Sequence, residues 1–111
     1  MIREQVQVKL AIDENDTLRC FPIMVQLRPN LSIPEFIERV KRQSQQYGYQ
    51  LVYVEEAGAV KAVAGFIIRE MLPLGRFLYV DDFVTDEAER AKGYGSFLFD
   101  WLVYVCPAKR V

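Results

Sequence analysis

Residues 78–105 have the sequence LYVDDFVTDEAERAKGYGSFLFDWLVYV, which consists of three segments of different composition. Residues 77–85 are rich in β-forming side chains and predict a strand. Residues 95–105 carry apolar side chains at helical spacing and predict a helix. Between them lies a charged segment with two glycines, and we call residues 89–96, ERAKGYGS, the glycine loop. The stretch therefore predicts a strand that leads through this loop directly into a helix.

The glycine loop has the features of an anion-binding site. A turn at a helix N-terminus presents unpaired backbone N–H groups and the positive end of the helix dipole. Gly93 and Gly95 allow the backbone to approach a ligand closely, and Arg90 and Lys92 add positive charge. The loop thus predicts a cradle for a pyrophosphate. The alternative stays open that the two glycines only form the turn from strand to helix.

Two common phosphate-binding motifs are absent from the chain. No GxxxxGK[ST] occurs, which excludes a P-loop. The dinucleotide motif GxGxxG fails as well, because Gly93-Tyr94-Gly95 is followed by Ser96-Phe97-Leu98.

The segments before the decisive stretch predict one more strand and two helices. Residues 2–11 alternate, with Val6, Val8 and Leu10 on one side, as in a half-buried strand. A helix is expected from Thr17 onward, with apolar positions at Leu18, Phe21, Met24 and Val25 and with a late start or a bend at Pro22. A second helix is expected after Ser32, which forms a capping box with Glu35, and it should end at Gly48. Its apolar face is formed by Phe36, Ile37, Val40 and Tyr47.

Two further β-rich runs, residues 49–55 and 60–71, come before the strand at 77–85. Their hairpin spacing favours an antiparallel meander. The predicted order is strand, helix, helix, three strands, helix. This order predicts an α+β domain, residues 1–111, in which helices cover a mostly antiparallel sheet.

Composition excludes several classes of protein. The chain has 111 residues, 51% apolar, with 14 Lys+Arg against 15 Asp+Glu, and this balance argues against a nucleic-acid binder. The absence of histidine removes the commonest general base and the usual zinc ligand, so no metal site is predicted. No run is long enough for a membrane span or a signal peptide. We expect a cytoplasmic protein in which Cys20 and Cys106 are reduced thiols, although a disulfide between them stays open.

At the glycine loop the sequence resembles GNAT-type N-acetyltransferases. Residues 90–95, RAKGYG, match the family's R/Q-x-x-G-x-G/A motif, and residues 78–84 resemble its fourth strand. Val63-Ala64-Gly65-Phe66 resembles the third strand, and the segments LRPN (27–30) and SIPEF (32–36) lie where the family has its first two helices. The resemblance covers nearly the whole chain. It implies an acetyl-CoA-dependent N-acetyltransferase that acts on a small amine by direct transfer.

The resemblance also implies roles for individual residues. The backbone of Phe83, Val84 and Thr85 would pair with the acetyl end of acetyl-CoA, the Val84 N–H serving the thioester oxygen. The basic residue of the motif is Arg90, and the N–H groups that would hold the pyrophosphate are those of Ala91, Lys92, Gly93, Tyr94, Gly95 and Ser96. Asp81 is the candidate base. Alternation places Tyr79 on the same face as Asp81, at the rim of an acceptor pocket or in the core, and Asp82 on the opposite face.

The chain departs from the family pattern after the last helix. Family members continue with further strands, which usually form one wall of the cofactor slot and supply a tyrosine that protonates the leaving thiolate. No tyrosine of this chain can be assigned that role, since Tyr104 lies in the wrong element. The strand at 77–85 would remain a sheet edge and the last helix would lack part of its cover, which predicts a homodimer in which a second copy covers this edge or the helix. The alternative function is a catalytically incomplete module that binds CoA or a protein partner without turnover.

Overall fold

In the part of the chain that the structure describes, five strands form a single sheet in the order β1-β2-β3-β4-β5. The coordinates are those of a computed structural model, which describes residues 5–105 and the backbone of residues 109–110. The elements are β1 (Gln7–Leu10), α1 (Glu14–Leu27), α2 (Ile33–Tyr47), β2 (Gln50–Glu56), β3 (Ala59–Met71), β4 (Gly75–Thr85), a short 3-10 turn (Glu87–Glu89), α3 (Tyr94–Val105) and β5 (Lys109–Arg110). The first four strands pair antiparallel in chain order. The predicted α+β architecture and element order are therefore confirmed.

The short strand β5 is an addition to the predicted order. Lys109 and Arg110 pair in parallel with Phe77 and Leu78 on the outer side of β4. The expectation that β4 is a bare edge is therefore wrong at its first residues. From Tyr79 to Thr85, β4 has no strand partner on that side among the residues the structure describes.

Helix α1 begins three residues before its predicted start. Asp13 is its N-cap, because the Asp13 carboxylate accepts a hydrogen bond from the Asp16 N–H at 2.8 Å. Residues 14–16, which precede the predicted start, are thus the first turn of the helix. Pro22 lies inside α1 without ending it. The buried face consists of Thr17, Cys20, Ile23 and Met24, so it is shifted from the predicted one, and Leu18 is exposed.

Helix α2 follows the prediction closely. Ser32 and Glu35 form the expected capping box, and Gly48 ends the helix in the left-handed conformation at φ 74°. One expected core residue, Tyr47, is exposed instead. Of the residues of α2, Phe36 is the one that is fully buried.

The two faces of the sheet carry separate cores. On one face, α3 packs Leu98 and Leu102 against Phe66 and Leu78. Trp101 meets Phe66 edge-on with 6.2 Å between ring centroids. On the other face, α1 and α2 cover residues that include Tyr49, Tyr53, Val63 and Val84. Strand β4 contributes residues to both cores, with Leu78 in the first and Val84 in the second.

Candidate active site

A β-bulge interrupts β4 at Asp81. Gly65 of β3 pairs with Asp82 and Phe66 pairs with Val80, so Asp81 is an extra residue on β4. A bulge bends its strand and redirects the side chains that follow it. Val80 packs on the α3 side, as alternation predicts. After the bulge, each side chain points to the face opposite to the one that unbroken alternation predicts.

The bulge places Asp82 on the face that α1 and α2 cover. Its Oδ1 accepts hydrogen bonds from Arg28 Nε at 3.0 Å and Nη2 at 2.8 Å, and its Oδ2 accepts one from the Tyr49 hydroxyl at 2.9 Å. Tyr79 lies on this face too, because its cross-strand partner Ile67 packs in the α1–α2 core. The prediction that Asp82 and Tyr79 point to opposite faces is wrong, since it assumed unbroken alternation.

Gly65 makes the Tyr49–Asp82 contact possible. The Tyr49 ring lies directly over Gly65, where an added Cβ would stand 1.7 Å from the Tyr49 oxygen. Burial of Tyr49 is the main reason its pKa lies far above the ordinary value, and the negative charge of Asp82 adds to the effect. The Tyr49 hydroxyl is therefore a neutral hydrogen-bond donor, and it holds Asp82 in place.

Asp81 is half-buried at the bulge itself. Burial raises the pKa of its carboxyl, and the neighbouring Asp82 raises it further, against the opposing charges of Arg28 and Arg69. Arg28 also donates to the Asp81 carbonyl at 3.2 Å, so one guanidinium ties the end of α1 to both residues of the bulge. A carboxylate with a raised pKa is a stronger base than an ordinary one, and this suits a group that must take up a proton.

The glycine loop has the backbone geometry of an anion cradle. Ala91 has φ 67° and Gly93 has φ 91°, both in the left-handed region. Both residues lie just before α3, where the first N–H groups of a helix have no intrahelical acceptor and can bind an anion. Among the described residues, no acceptor lies in hydrogen-bond reach of the amide groups of Arg90, Ala91, Gly93, Gly95 and Ser96. The positive φ of Ala91 had no signal in the sequence.

Tyr94 anchors the loop to the sheet. Its ring is buried in the α3 core, its hydroxyl donates to Glu56 of β2, and the Lys61 ammonium stands 6.0 Å from the ring centroid. Lys61 also pairs with Glu89 at 3.4 Å. Gly95 packs so closely on β4 that an added Cβ would stand 3.0 Å from Thr85 Oγ1. The loop is thus held at both ends by contacts to the sheet.

The backbone amides at the end of β4 face in alternating directions. The Asp86 N–H donates to the Lys61 carbonyl of the neighbouring chain segment at 2.9 Å. In an antiparallel ladder, N–H groups two residues apart point the same way, so the Val84 N–H also faces β3. The amides of Phe83 and Thr85 face the outer edge instead. The Val84 amide is therefore a poor choice for the donor to a thioester oxygen, and Phe83 and Thr85 are better ones.

A cleft opens between α1, α2 and the bulge, and we call it the α1–α2 cleft. It has a volume of about 200 Å³. Its lining residues are Met24, Arg28, Leu31, Phe36, Arg39, Val40, Gln43, Tyr49 and Asp82. Sequence reasoning did not identify Arg28, Arg39 or Tyr49 as functional candidates. A glycine within the β-rich run 60–71 was the one available signal for the approach of Tyr49.

Neither a reactive thiol nor a metal site adds to this region within the described residues. Cys20 is a buried free thiol whose pKa is raised to about 12 by desolvation, so it is unreactive. Cys106 lies outside the described residues. Within residues 5–105, no cluster of carboxylate or cysteine side chains has the arrangement of a metal site. No helix in the described part of the chain is long and apolar enough to cross a membrane.

Comparisons with known proteins agree with this geometry. No family model matches the chain. An uncharacterized N-acetyltransferase of Bacillus subtilis, YhdJ, is 30% identical over 96 residues, which cover 86% of this chain and 68% of the relative.

Solved structures show the same fold. A GNAT family acetyltransferase of Staphylococcus aureus superposes with a TM-score of 0.79 at 15% identity, covering 96% of this chain and 83% of that one. A predicted acetyltransferase of Clostridium acetobutylicum, crystallised with acetyl-CoA, has a TM-score of 0.68 at 19% identity, covering 96% and 79%. The relationship to the Bacillus subtilis protein, together with the shared fold and the motif RAKGYG, shows that the chain belongs to the GNAT-type N-acetyltransferase family.

Proposed function

We propose that the protein is an acetyl-CoA-dependent N-acetyltransferase that acetylates a small amine by direct transfer. The observation that carries the proposal is the glycine loop, whose unpaired backbone amides lie at the N-terminus of α3, next to the end of β4. An acetyl-CoA pyrophosphate fits this donor set, because it offers acceptor oxygens and negative charge. Acetyl-CoA would supply the acetyl group as an activated thioester.

The residues of the chain would divide the chemistry among them. The lone pair of the neutral amine forms the new C–N bond as the C–S bond breaks, the sulfur leaves as the thiolate, and a proton must leave the amine. Asp81, directly or through one water, would take this proton. The outward N–H of Phe83 would donate to the thioester oxygen as it gains negative charge. Arg28 and Tyr49 would keep Asp82 and the bulge in position.

Binding of acetyl-CoA is the first test. Acetyl-CoA should raise the melting temperature of the protein by mass action, and a thiol-release assay with a panel of amines should then detect turnover. Gly93→Leu should remove the thermal shift, because the side chain strains a residue at φ 91° and fills the cradle.

Gly75→Leu is the matched control. Gly75 has φ 72°, nothing stands within 4 Å of its added Cβ, and it lies at the opposite end of β4. Both variants should lose about 1–2 kcal/mol of stability, yet only Gly93→Leu should lose the ligand shift. An equal ligand shift in the two variants would place acetyl-CoA elsewhere. A shift without thiol release from any amine would favour the module that binds CoA without turnover.

We also propose that the chain forms a homodimer. The outer side of β4 from Tyr79 onward has no strand partner among residues 5–105 and 109–110. Exposed apolar side chains occur on β4 at Tyr79 and, on the other face of the sheet, on α3 at Phe99 and Tyr104. A second copy of the chain would shield such groups from water.

A further inference from the structure

We propose that the α1–α2 cleft selects an amine that also carries a carboxylate and a short apolar side chain, such as an α-amino acid of that type. The inference rests on the proposed function, since it names the acceptor class of the same site. It depends on the charges around the cleft, on the partners that those charges already have, and on the apolar floor.

The negative charge in the cleft is already compensated. Asp82 is the one carboxylate among the lining residues, and both of its oxygens accept hydrogen bonds, one from Tyr49 and the other from Arg28. Its side chain is only 16% exposed. A polyamine would need a second anionic group for its second ammonium, and Asp82 is a weak candidate because Arg28 neutralises it.

Positive charge in the cleft is in excess. Arg28 uses Nε and Nη2 in its contacts with the bulge, whereas Nη1 has no partner among the described residues. Among the described residues, Arg39 forms its one ion pair with Glu35, at 3.9 Å between Nη2 and Oε2, and both side chains are 51% exposed. The Glu35 carboxylate is moreover committed to the capping box of α2, where it accepts hydrogen bonds from Ser32. Two guanidinium groups therefore have N–H donors that a ligand carboxylate could use.

The floor of the cleft is apolar and small. Met24, Phe36 and Tyr49 are buried beneath it, and Leu31 and Val40 complete its walls. Its volume of about 200 Å³ is below the range of about 300–1,000 Å³ that is typical for drug-sized ligands. A single short aliphatic side chain suits this space, and a long chain does not.

The position of Arg28 relates this cleft to the proposed base. Arg28 contacts the Asp82 side chain and the Asp81 carbonyl at the same time, so the cleft ends at the bulge. A ligand held by its carboxylate at the arginines would lie next to the bulge that contains Asp81. Selection of the acceptor and removal of its proton would then be performed by adjacent residues.

The test measures binding separately from turnover. N-acetyl-L-leucine and N-acetyl-L-leucinamide are isosteric product-like probes that differ in one negative charge, and their dissociation constants can be measured by titration calorimetry or NMR. The carboxylate should bind at least about tenfold more tightly than the amide. Arg39→Gln should remove most of this difference, and Arg39→Lys should restore part of it.

Arg42→Gln is the matched control. Arg42 lies on the same helix and pairs with Glu38 four residues before it, as Arg39 does with Glu35, but it does not line the cleft. Its removal should leave the preference for the carboxylate unchanged. Equal binding of the two probes, or equal effects of the Arg39 and Arg42 variants, would overturn the assignment.

The proposed function and this inference can fail independently. Thiol release with putrescine or leucinamide but not with leucine would overturn the carboxylate assignment and leave the transferase intact. Selective binding of N-acetyl-L-leucine without any thermal shift by acetyl-CoA would support the cleft assignment and contradict the transferase.

Discussion

The two faces of the sheet contribute to the site in different ways. On the α3 face, the candidate binding groups are backbone amides of the glycine loop, placed by positive φ angles and by glycine contacts. On the α1–α2 face, they are the side chains of Arg28, Tyr49 and Asp82, placed by packing between distant parts of the chain. A backbone site leaves a local motif in the sequence. A site made of side chains from three elements leaves almost none.

Because of this difference, amino-acid substitutions on the two faces should have different effects on ligand binding and on folding. The glycine loop depends on a few backbone conformations, so substitutions within it should affect ligand binding more than folding. The α1–α2 face is a hydrogen-bonded group inside a core, so substitutions there should affect folding and site geometry together.

Gly65→Ala should be the most damaging single substitution on the α1–α2 face. The new methyl group would stand 1.7 Å from the Tyr49 oxygen and 2.3 Å from Cζ, so the ring must move away from Asp82. We expect a loss of about 3 kcal/mol in the free energy of unfolding, at the upper end for an overpacked core. Denaturant unfolding measures this loss.

A second substitution identifies the cause of that loss. Tyr49→Leu removes the ring, so Gly65→Ala should cost much less in a Tyr49→Leu background than in the wild type. Strictly additive losses in the double variant would show that the Tyr49 ring does not limit the space at Gly65.

Asp81→Asn should separate activity from stability. If Asp81 is the base, the variant should lose about 100-fold in kcat/KM. Activity of the wild type should rise with pH as the Asp81 carboxyl, whose pKa is raised mainly by burial, becomes ionised, and the variant should lack this rise. The comparison requires thiol-release rates across a pH series.

The effect of Asp81→Asn on stability has the opposite sign. Since the pKa of Asp81 is higher in the folded than in the unfolded chain, its ionisation disfavours the folded state above the folded pKa. Asp81→Asn should therefore unfold at a higher denaturant concentration at pH 7, and the gain should vanish below about pH 4. Asp100→Asn, at an exposed position on α3, is the control. A stability gain that does not change with pH would contradict this account of Asp81.

The sequence predicted the fold because its local signals agreed with its tertiary structure. The capping box at Ser32, the stop at Gly48 and the strand-to-helix turn at Gly93 each depend on neighbouring residues, and the structure contains all three. The bulge at Asp81 was not predictable, because it is a property of how β4 pairs with β3. The face assigned to Asp82 was wrong for this reason. The roles of Arg28 and Tyr49 were missed because each lies more than 30 residues from its partner in the chain.

Tyr94→Phe should produce the smallest of these effects, and it tests how firmly the glycine loop depends on the sheet. The variant keeps the buried ring and removes only the hydroxyl that donates to Glu56. We expect a loss of about 1 kcal/mol in unfolding free energy, typical of one hydrogen bond, with a several-fold weaker affinity for acetyl-CoA as the start of α3 gains freedom. Tyr104→Phe, 82% exposed on the same helix, should change neither quantity. If Tyr94→Phe lowers stability but leaves acetyl-CoA affinity unchanged, the loop keeps its shape without this anchor, and its backbone angles alone determine the cradle.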